Sequence, residues 1–250
     1  MVSSSPHKNS QQTHSPQKQL TLAVQMKPHA SFDNFYAYSN QCVLTLFQQF
    51  LEDDTETLAL LVGAPGTGKT HLLNAALNQL EQNRIGARFY PLSELANLES
   101  DYDPEQFFEG VSDYPFVFLD DVDQWLPHPA RERILFNLYN QFKMHGQKMI
   151  LTSATVPRLM RLGLPDLTSR LNSGLLLTLN PLSDDEKVSL LQRWAMDRGF
   201  KLNAEIAAYI LTRSERSVPD LMCVIERLDY ASLTAKSRIT LPFIKKTFGW

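Results

Sequence analysis

Apolar residues fall along this chain in two rhythms. Unbroken apolar blocks occupy 58–62 and 116–119, and a third, at 149–151, follows Lys148 and closes on two small hydroxyls. So short and uniform a block marks a strand covered on both faces, as in the middle of a parallel sheet. Elsewhere the apolar positions recur every three or four residues: Val43, Leu44, Leu46, Phe47, Phe50 and Leu51 across 41–51, and Ile134, Leu135, Leu138, Tyr139 and Phe142 across 132–145. That spacing predicts helices with one face in the core. A helix over 69–82, a shorter strand over 87–92, a helical turn at 94–98 and a last strand over 174–179 complete the series. Strands alternating with helices predict an α/β fold: a parallel five-stranded sheet flanked by helices.

The rhythm changes after Pro181. Ser183-Asp184-Asp185-Glu186 has the form of a capping box at a helix start. Helices are expected over 183–198, 203–213 and 218–236, with a short one over 239–247. The chain thus divides into a tail (1–28), a nucleotide-binding α/β domain (29–180) and a small all-helical lid domain (181–250). The tail is rich in Ser, Gln, His, Lys and Pro, holds little to bury and is expected to be disordered. One island breaks it. Gln19-Leu20-Thr21-Leu22-Ala23-Val24 places apolar side chains at alternate positions after a glutamine. The pattern suits an extended peptide docking in a groove, and equally a chance apolar patch or a strand pairing with the body.

Composition narrows the class. With 250 residues, 43% hydrophobic and 20% charged, the chain reads as a soluble globular protein. It has no apolar run long enough to span a membrane and no signal sequence, so a cytoplasmic protein without membrane contact is expected. Cys42 and Cys223 lie far apart, and each is expected to be a small buried hydrophobe rather than half of a bridge. The six histidines show no metal-ligand spacing, and no structural metal is expected. A formal charge of −3 weighs against the chain gripping DNA by itself, because nucleic-acid domains are usually basic.

The candidate chemistry sits at two strand ends. Gly63-Ala64-Pro65-Gly66-Thr67-Gly68-Lys69-Thr70 spells G-x-x-x-x-G-K-T between a predicted strand and a predicted helix. Such a loop turns backbone N–H groups around a diphosphate at the positive end of the following helix. Lys69 would reach the β- and γ-phosphates, and the Thr70 hydroxyl would ligate Mg²⁺. The second stretch, Phe116-Val117-Phe118-Leu119-Asp120-Asp121, delivers two carboxylates from a strand end. Asp120 is the candidate magnesium-side ligand and Asp121 the candidate for positioning an attacking water. Thr152 and Ser153, closing their own strand, are placed to sense a phosphate.

Taken together these residues resemble the AAA+ ATPases, in the branch of the bacterial replication initiator DnaA and the smaller Hda-like proteins. The likeness runs from about residue 31 to the end. It includes Ser31-Phe32-Asp33-Asn34-Phe35, the loop 63–70 followed by His71, Leu119-Asp120-Asp121-Val122, Ile150-Leu151-Thr152-Ser153 and Thr168-Ser169-Arg170-Leu171. The chain stops at Trp250 without the helix-turn-helix domain that follows the lid in DnaA. Gln19, Leu20, Thr21 and Leu22 resemble the clamp-binding peptide at the start of Hda-like proteins.

The resemblance implies a negative regulator of replication initiation. It would bind ADP or ATP with Mg²⁺ through 63–71 and Phe35. It would dock on the DNA-loaded sliding clamp, the beta subunit of DNA polymerase III, and so be held at the nucleoid. Arg170 would be an arginine finger that promotes hydrolysis of ATP bound to DnaA. Sequence-specific DNA binding of its own is not expected, and self-association into a homo-oligomer is left open.

Three departures from the family pattern bear on turnover. Asp121 stands where the wider AAA+ pattern has a glutamate, as in DnaA, Ala154 stands where the DnaA pattern has an aspartate after Thr-Ser, and Pro219 falls near where the lid carries a sensor arginine, with Arg213 and Arg216 its basic neighbours. Weak intrinsic hydrolysis is expected. The alternative is a self-sufficient AAA+ ATPase that loads or remodels replication proteins on DNA.

Overall fold

The computed structural model of the chain describes residues 30–96 and 104–250. The peptide Gln19, Leu20, Thr21 and Leu22 lies outside them. The α/β part begins with α1 (Gln41–Glu52), β1 (Leu58–Val62), α2 (Lys69–Gln82), β2 (Ala87–Pro91) and α3 (Leu92–Ala96). It continues through β3 (Phe116–Asp120), α4 (Val122–Trp125), α5 (Pro129–His145), β4 (Lys148–Ser153), α6 (Pro165–Ser173) and β5 (Leu175–Thr178). Four helices follow: α7 (Asp184–Asp197), α8 (Ala204–Arg213), α9 (Val218–Ala235) and α10 (Leu241–Phe248).

The five strands form one parallel sheet in the order β2-β3-β4-β1-β5. Every residue of β1, β3 and β4 is buried, whereas the outer strands β2 and β5 are only partly covered. Pleating sends alternate side chains to opposite faces. Leu58, Leu60 and Val62 join Val117, Leu119 and Leu151 in the apolar layer that holds α5 and α6. Ala59 and Leu61 join Phe118 and Ile150 in the layer packed on α1 and α2. A third core, around Leu191, Ile210, Leu221, Ile225 and Ile244, holds the four C-terminal helices together as a lid region. The capping box at its start is formed: the Ser183 hydroxyl accepts from the Glu186 amide and the Glu186 carboxylate from the Ser183 amide. No helix among the described residues is long and apolar enough to cross a membrane.

Three local expectations need correction. The helical turn expected at 94–98 begins earlier, as α3, which starts at Leu92 directly after β2 and turns Leu92 and Leu95 into the core; residues 97 and 98 lie outside the described residues. The last strand is Leu175–Thr178 rather than 174–179, although the Leu179 amide still donates to the Val62 carbonyl at 2.7 Å, and Gly174 stands where the backbone comes too close to β1 for a side chain. A Cβ there would stand 2.8 Å from Leu58 Cγ and 2.9 Å from its carbonyl oxygen. Cys42 and Cys223 are both exposed rather than buried. Helical phase decides this: Leu221, Val224, Ile225 and Leu228 take the inner face of α9, and Cys223 falls on the outer one.

One buried cation had no place in the strand pattern. Lys148, the first residue of β4, donates from Nζ to the carbonyls of Phe50 (2.7 Å), Leu51 (3.2 Å) and Asp53. These acceptors lie at the C-terminal end of α1, where a helix has no amide donors left for its last carbonyls. Lys148→Met should leave them without a donor and lower unfolding stability in urea by about 3 kcal/mol. A variant as stable as the parent would show that the ammonium contributes nothing net.

Candidate functional site

The loop 63–70 leaves the sheet between two neighbours. Its first amide, on Gly63, donates to the Ser153 carbonyl of β4 at 3.1 Å. Gly66 (φ +80°) and Gly68 (φ +97°) then take left-handed backbone that side chains resist. At Gly68 a Cβ would also stand 2.6 Å from Cε2 of Phe35. The Thr67 hydroxyl donates to the Ala64 carbonyl at 2.9 Å and closes the turn. Lys69, 6% exposed, donates to the Gly63 and Ala64 carbonyls at 2.7 and 3.3 Å.

Asp120 binds this loop to the sheet. One carboxylate oxygen accepts from the Thr70 hydroxyl at 2.7 Å and the other from the Thr152 hydroxyl. The Thr152 oxygen in turn accepts the Asp121 amide at 2.8 Å. Asp121 sits at φ +56°, a left-handed position that aspartate tolerates better than most residues. Burial, and secondarily the Asp120 charge, pushes its carboxyl above the ordinary range. At Ala154, where the family pattern has an acid, the backbone amide donates to Asp123 Oδ2 at 3.1 Å. Ser153 is turned to local use, its hydroxyl donating to the Thr155 carbonyl.

Between the loop and the lid lies an open cleft, lined by Phe35, Gly66, Gly68, His71, Trp194 and Val218 among others. Phe35 and His71 face each other with ring centres 5.6 Å apart. A strap formed by residues 30–40 crosses from α2 to the lid. His71 Nε2 hydrogen-bonds the Ser31 carbonyl at 3.1 Å, and Asn78 donates to the Ala30 carbonyl at 2.7 Å. At the other end the buried Asn40 side chain exchanges two bonds with the backbone of Asn180, at 3.0 and 2.8 Å. The Ser39 amide donates to Glu186, and the Tyr36 hydroxyl to Asp197.

Most sequence-predicted residues therefore converge: the loop with Lys69 and Thr70, His71 and Phe35 at the cleft, and Asp120 with Asp121 at the adjoining strand end. Arg170 is not among the cleft-lining residues. It is exposed on α6, its guanidinium carbon 5.8 Å from the centre of the Tyr139 ring, and no carboxylate among the described residues pairs with it. The predicted clamp peptide, Gln19, Leu20, Thr21 and Leu22, is outside the described residues. On the lid, Pro219 Cδ lies 3.6 Å from where a Cβ of Gly66 would be. Arg216 pairs with Asp184 at 3.2 Å and Arg213 lies over the Tyr209 ring at 5.7 Å, both on the lid surface. Sequence reasoning missed Tyr36, Leu190, Trp194 and Val218, which only tertiary contact brings to the cleft, and Asp123, which holds the Ala154 amide; Ser31 and Asn34 bond each other reciprocally at a readable i,i+3 spacing.

The arrangement suits a nucleoside polyphosphate. The loop amides, the N-terminus of α2 and the buried Lys69 all favour negative charge. Thr70 and Asp120 place a hydroxyl and a carboxylate together, a donor set that fits a hard cation whose other ligands are phosphate oxygens and water.

Comparison with known proteins agrees with this geometry. The family described as "Bacterial DnaA ATPAse domain" matches residues 26–178, and "Hda, lid domain" matches residues 184–248. An uncharacterized protein of Haemophilus influenzae is 35% identical over 230 residues, which is 92% of this chain and 97% of that one. Domain III of the Thermotoga maritima replication initiation protein DnaA superposes with a TM-score of 0.71 at 18% identity, over 89% of this chain and 96% of its own. AMPPCP-bound DnaA from Aquifex aeolicus gives 0.69 at 19% identity, over 83% and 67%. The Thermotoga maritima RuvB branch migration motor gives 0.65 at 19%, over 90% and 73%. At such identities the structural likenesses speak for the fold. The sequence matches go further: this chain belongs to the DnaA-related AAA+ family and carries an Hda-type lid.

Proposed function

We propose that this protein is a negative regulator of DNA replication initiation: a nucleotide-bound AAA+ protein that docks on the DNA-loaded sliding clamp and supplies Arg170 to ATP-bound DnaA. The observation that carries the reading is the position of Arg170. It is exposed, lacks a carboxylate partner among the described residues and lies off the lining of its own cleft. A guanidinium so placed is available to another molecule's nucleotide. There its fixed charge and planar fork of donors stabilise the charge that develops on the γ-phosphate.

The chain's own cleft is the regulatory half of this scheme. Gly63, Ala64, Pro65, Gly66, Thr67, Gly68 and Lys69 hold the phosphates of ADP or ATP, with Phe35 and His71 beside them. Thr70 and Asp120 hold Mg²⁺, which when bound neutralises phosphate charge. Lys69 leaves its two carbonyl acceptors to meet the phosphates. Asp121 positions water weakly, being a methylene shorter than glutamate and held toward its neutral form. Pro219, against Gly66, brings no cationic donor from the lid. Binding without brisk turnover follows, with ADP as the working form. The proposed division is a clamp-binding tail (1–28), a nucleotide-binding unit (29–180) and a lid (181–250). One rival retains support from the intact set Lys69, Thr70 and Asp120: a self-sufficient AAA+ ATPase that loads or remodels replication proteins. Brisk ATP turnover by the purified chain alone would favour it.

Arg170→Ala should retain nucleotide binding and lower the stimulated rate of DnaA-bound ATP hydrolysis by about 10³-fold, measured at fixed clamp and DNA; unchanged stimulation would refute the finger. Changing Gln19, Leu20 and Leu22 together to Ala should abolish co-elution with clamp loaded on DNA, and persistent co-elution would move that contact elsewhere. Asp121 provides a pH test. Its folded pKa is raised, so its contribution to stability is fully present below the unfolded carboxylate pKa and is lost as pH rises through the folded one. Asp121→Asn should therefore melt above the parent at pH 7, the gap closing as pH falls below about 4. An equal gap at both pH values would show that the charge is not responsible.

A further inference from the structure

Glu132 is the one carboxylate besides Asp120 that is almost fully buried among the described residues, at 2% exposure, and nucleotide binding makes no use of it. It has no cationic partner there. Its two oxygens instead accept backbone amides, Oε1 from Gly163 at 3.1 Å and Oε2 from Leu164 at 2.7 Å. Leu164 is the residue just before α6 and offers no side-chain cap, and Pro165 at the first helical position has no N–H to give. The Glu132 carboxylate thus ties down the two residues that lead into α6, beside the positive end of that helix.

Two turns further along the same face of α5 stands Tyr139, 7% exposed, with the Arg170 guanidinium carbon 5.8 Å from its ring centre. Between these supports Leu167 and Leu171, one turn apart on α6, are buried in the layer that holds Ile134, Leu135 and Leu138 of α5. A carboxylate grips α6 where it begins, two leucines seat its middle, and an aromatic face lies under the arginine near its end.

We propose that Glu132 and Tyr139 are positioning residues: together they hold α6 so that Arg170 is offered at a fixed distance and angle to the nucleotide phosphates of a neighbouring AAA+ subunit. The proposal rests on the reading of Arg170 given above. An exposed arginine has four free side-chain torsions, and a finger must meet a transferring phosphoryl group in one geometry. A displacement of about 1 Å can cost about a hundredfold in rate. The ring confines the guanidinium plane, and the buried carboxylate sets the height and tilt of the helix that carries it. Glutamate suits this position because it satisfies two adjacent amides with one rigid acceptor pair.

The test compares Glu132→Gln, Tyr139→Leu and Tyr139→Phe with Arg170→Ala in the full chain. DnaA-bound ATP hydrolysis is measured against concentration of the variant, with hydrogen exchange at the 163 and 164 amides recorded in parallel. Glu132→Gln keeps the volume but presents an NH₂ group where an acceptor stood. It should speed exchange at both amides and lower the maximal stimulated rate about tenfold or more, with the half-saturating concentration and nucleotide affinity unchanged. Tyr139→Leu should lower the maximal rate likewise, and Tyr139→Phe, which keeps the ring, should restore it. A role confined to folding would shift the half-saturating concentration, through loss of folded protein, and leave the maximum in place; that result overturns the proposal. So does a full maximal rate in Glu132→Gln with fast exchange at the two amides, or in Tyr139→Leu. If Arg170→Ala keeps full stimulation, the finger reading itself falls and this inference with it. If Arg170→Ala loses stimulation while the Glu132 and Tyr139 variants keep it, only the positioning role is lost.

Discussion

The arrangement of this protein depends on the Asp120 carboxylate and the two hydroxyls it accepts. Thr70 lies in the first turn of α2, Asp120 ends β3 and Thr152 lies next to the end of β4, so one side chain joins three parts of the fold that are far apart in sequence at the carboxyl edge of the sheet. The parallel order β2-β3-β4-β1-β5 makes that meeting unavoidable. Strands running the same way end on the same edge, and ligands of open α/β sheets bind in the crevice beyond those ends. The phosphate loop at the end of β1 and the acidic pair at the end of β3 flank β4. A threonine on β4 can therefore orient both.

The strap and the lid give this edge its second wall. Phe35 packs against Gly68 so closely that no side chain fits there, and the same strap reaches the lid through Tyr36, Ser39 and Asn40. The paired bonds between Asn40 and Asn180 lie where the sheet passes into α7, so the entry to the lid is held by the segment that also borders the phosphate loop. The polar contacts themselves are individually modest, mostly at the surface. Their effect is geometric, tying two apolar cores that share few side chains.

Binding elements and turnover elements are unequally provided. The loop amides, Lys69, Thr70 and Asp120 are all in place, whereas under the proposed reading the positions for aligning water and answering the γ-phosphate hold Asp121, Ala154 and Pro219. The well-braced cation, Arg170, faces outward instead. The cleft and the exposed arginine lie on different parts of the molecule, and α5 borders both. Its apolar face backs the sheet beneath the acidic pair, and its Glu132 and Tyr139 support the helix that bears the arginine.

Much of this was legible in the chain. β1, α2 and β4 fall where the apolar blocks and the G-x-x-x-x-G-K-T spacing put them, and the four lid helices agree within two or three residues, because unbroken and 3.6-periodic patterns report directly on burial. The loop residues, Asp120 and Asp121 were legible because consecutive residues supply the chemistry. Trp194, Asp123 and Glu132 were not: each acts on a residue distant in sequence or at a helix end that no short motif marks. Lys148 was hidden inside a strand pattern, since nothing local says that a lysine will cap another element's carbonyls. Cys42 and Cys223 were misjudged because composition favours burial while helical phase decides it. The sequence alone settled the order of strands and helices, the phosphate loop and the family, all of which are local patterns. Tertiary structure alone decided which carboxylate is buried against which amide and which arginine faces outward, because those choices follow from the packing of segments far apart in the chain.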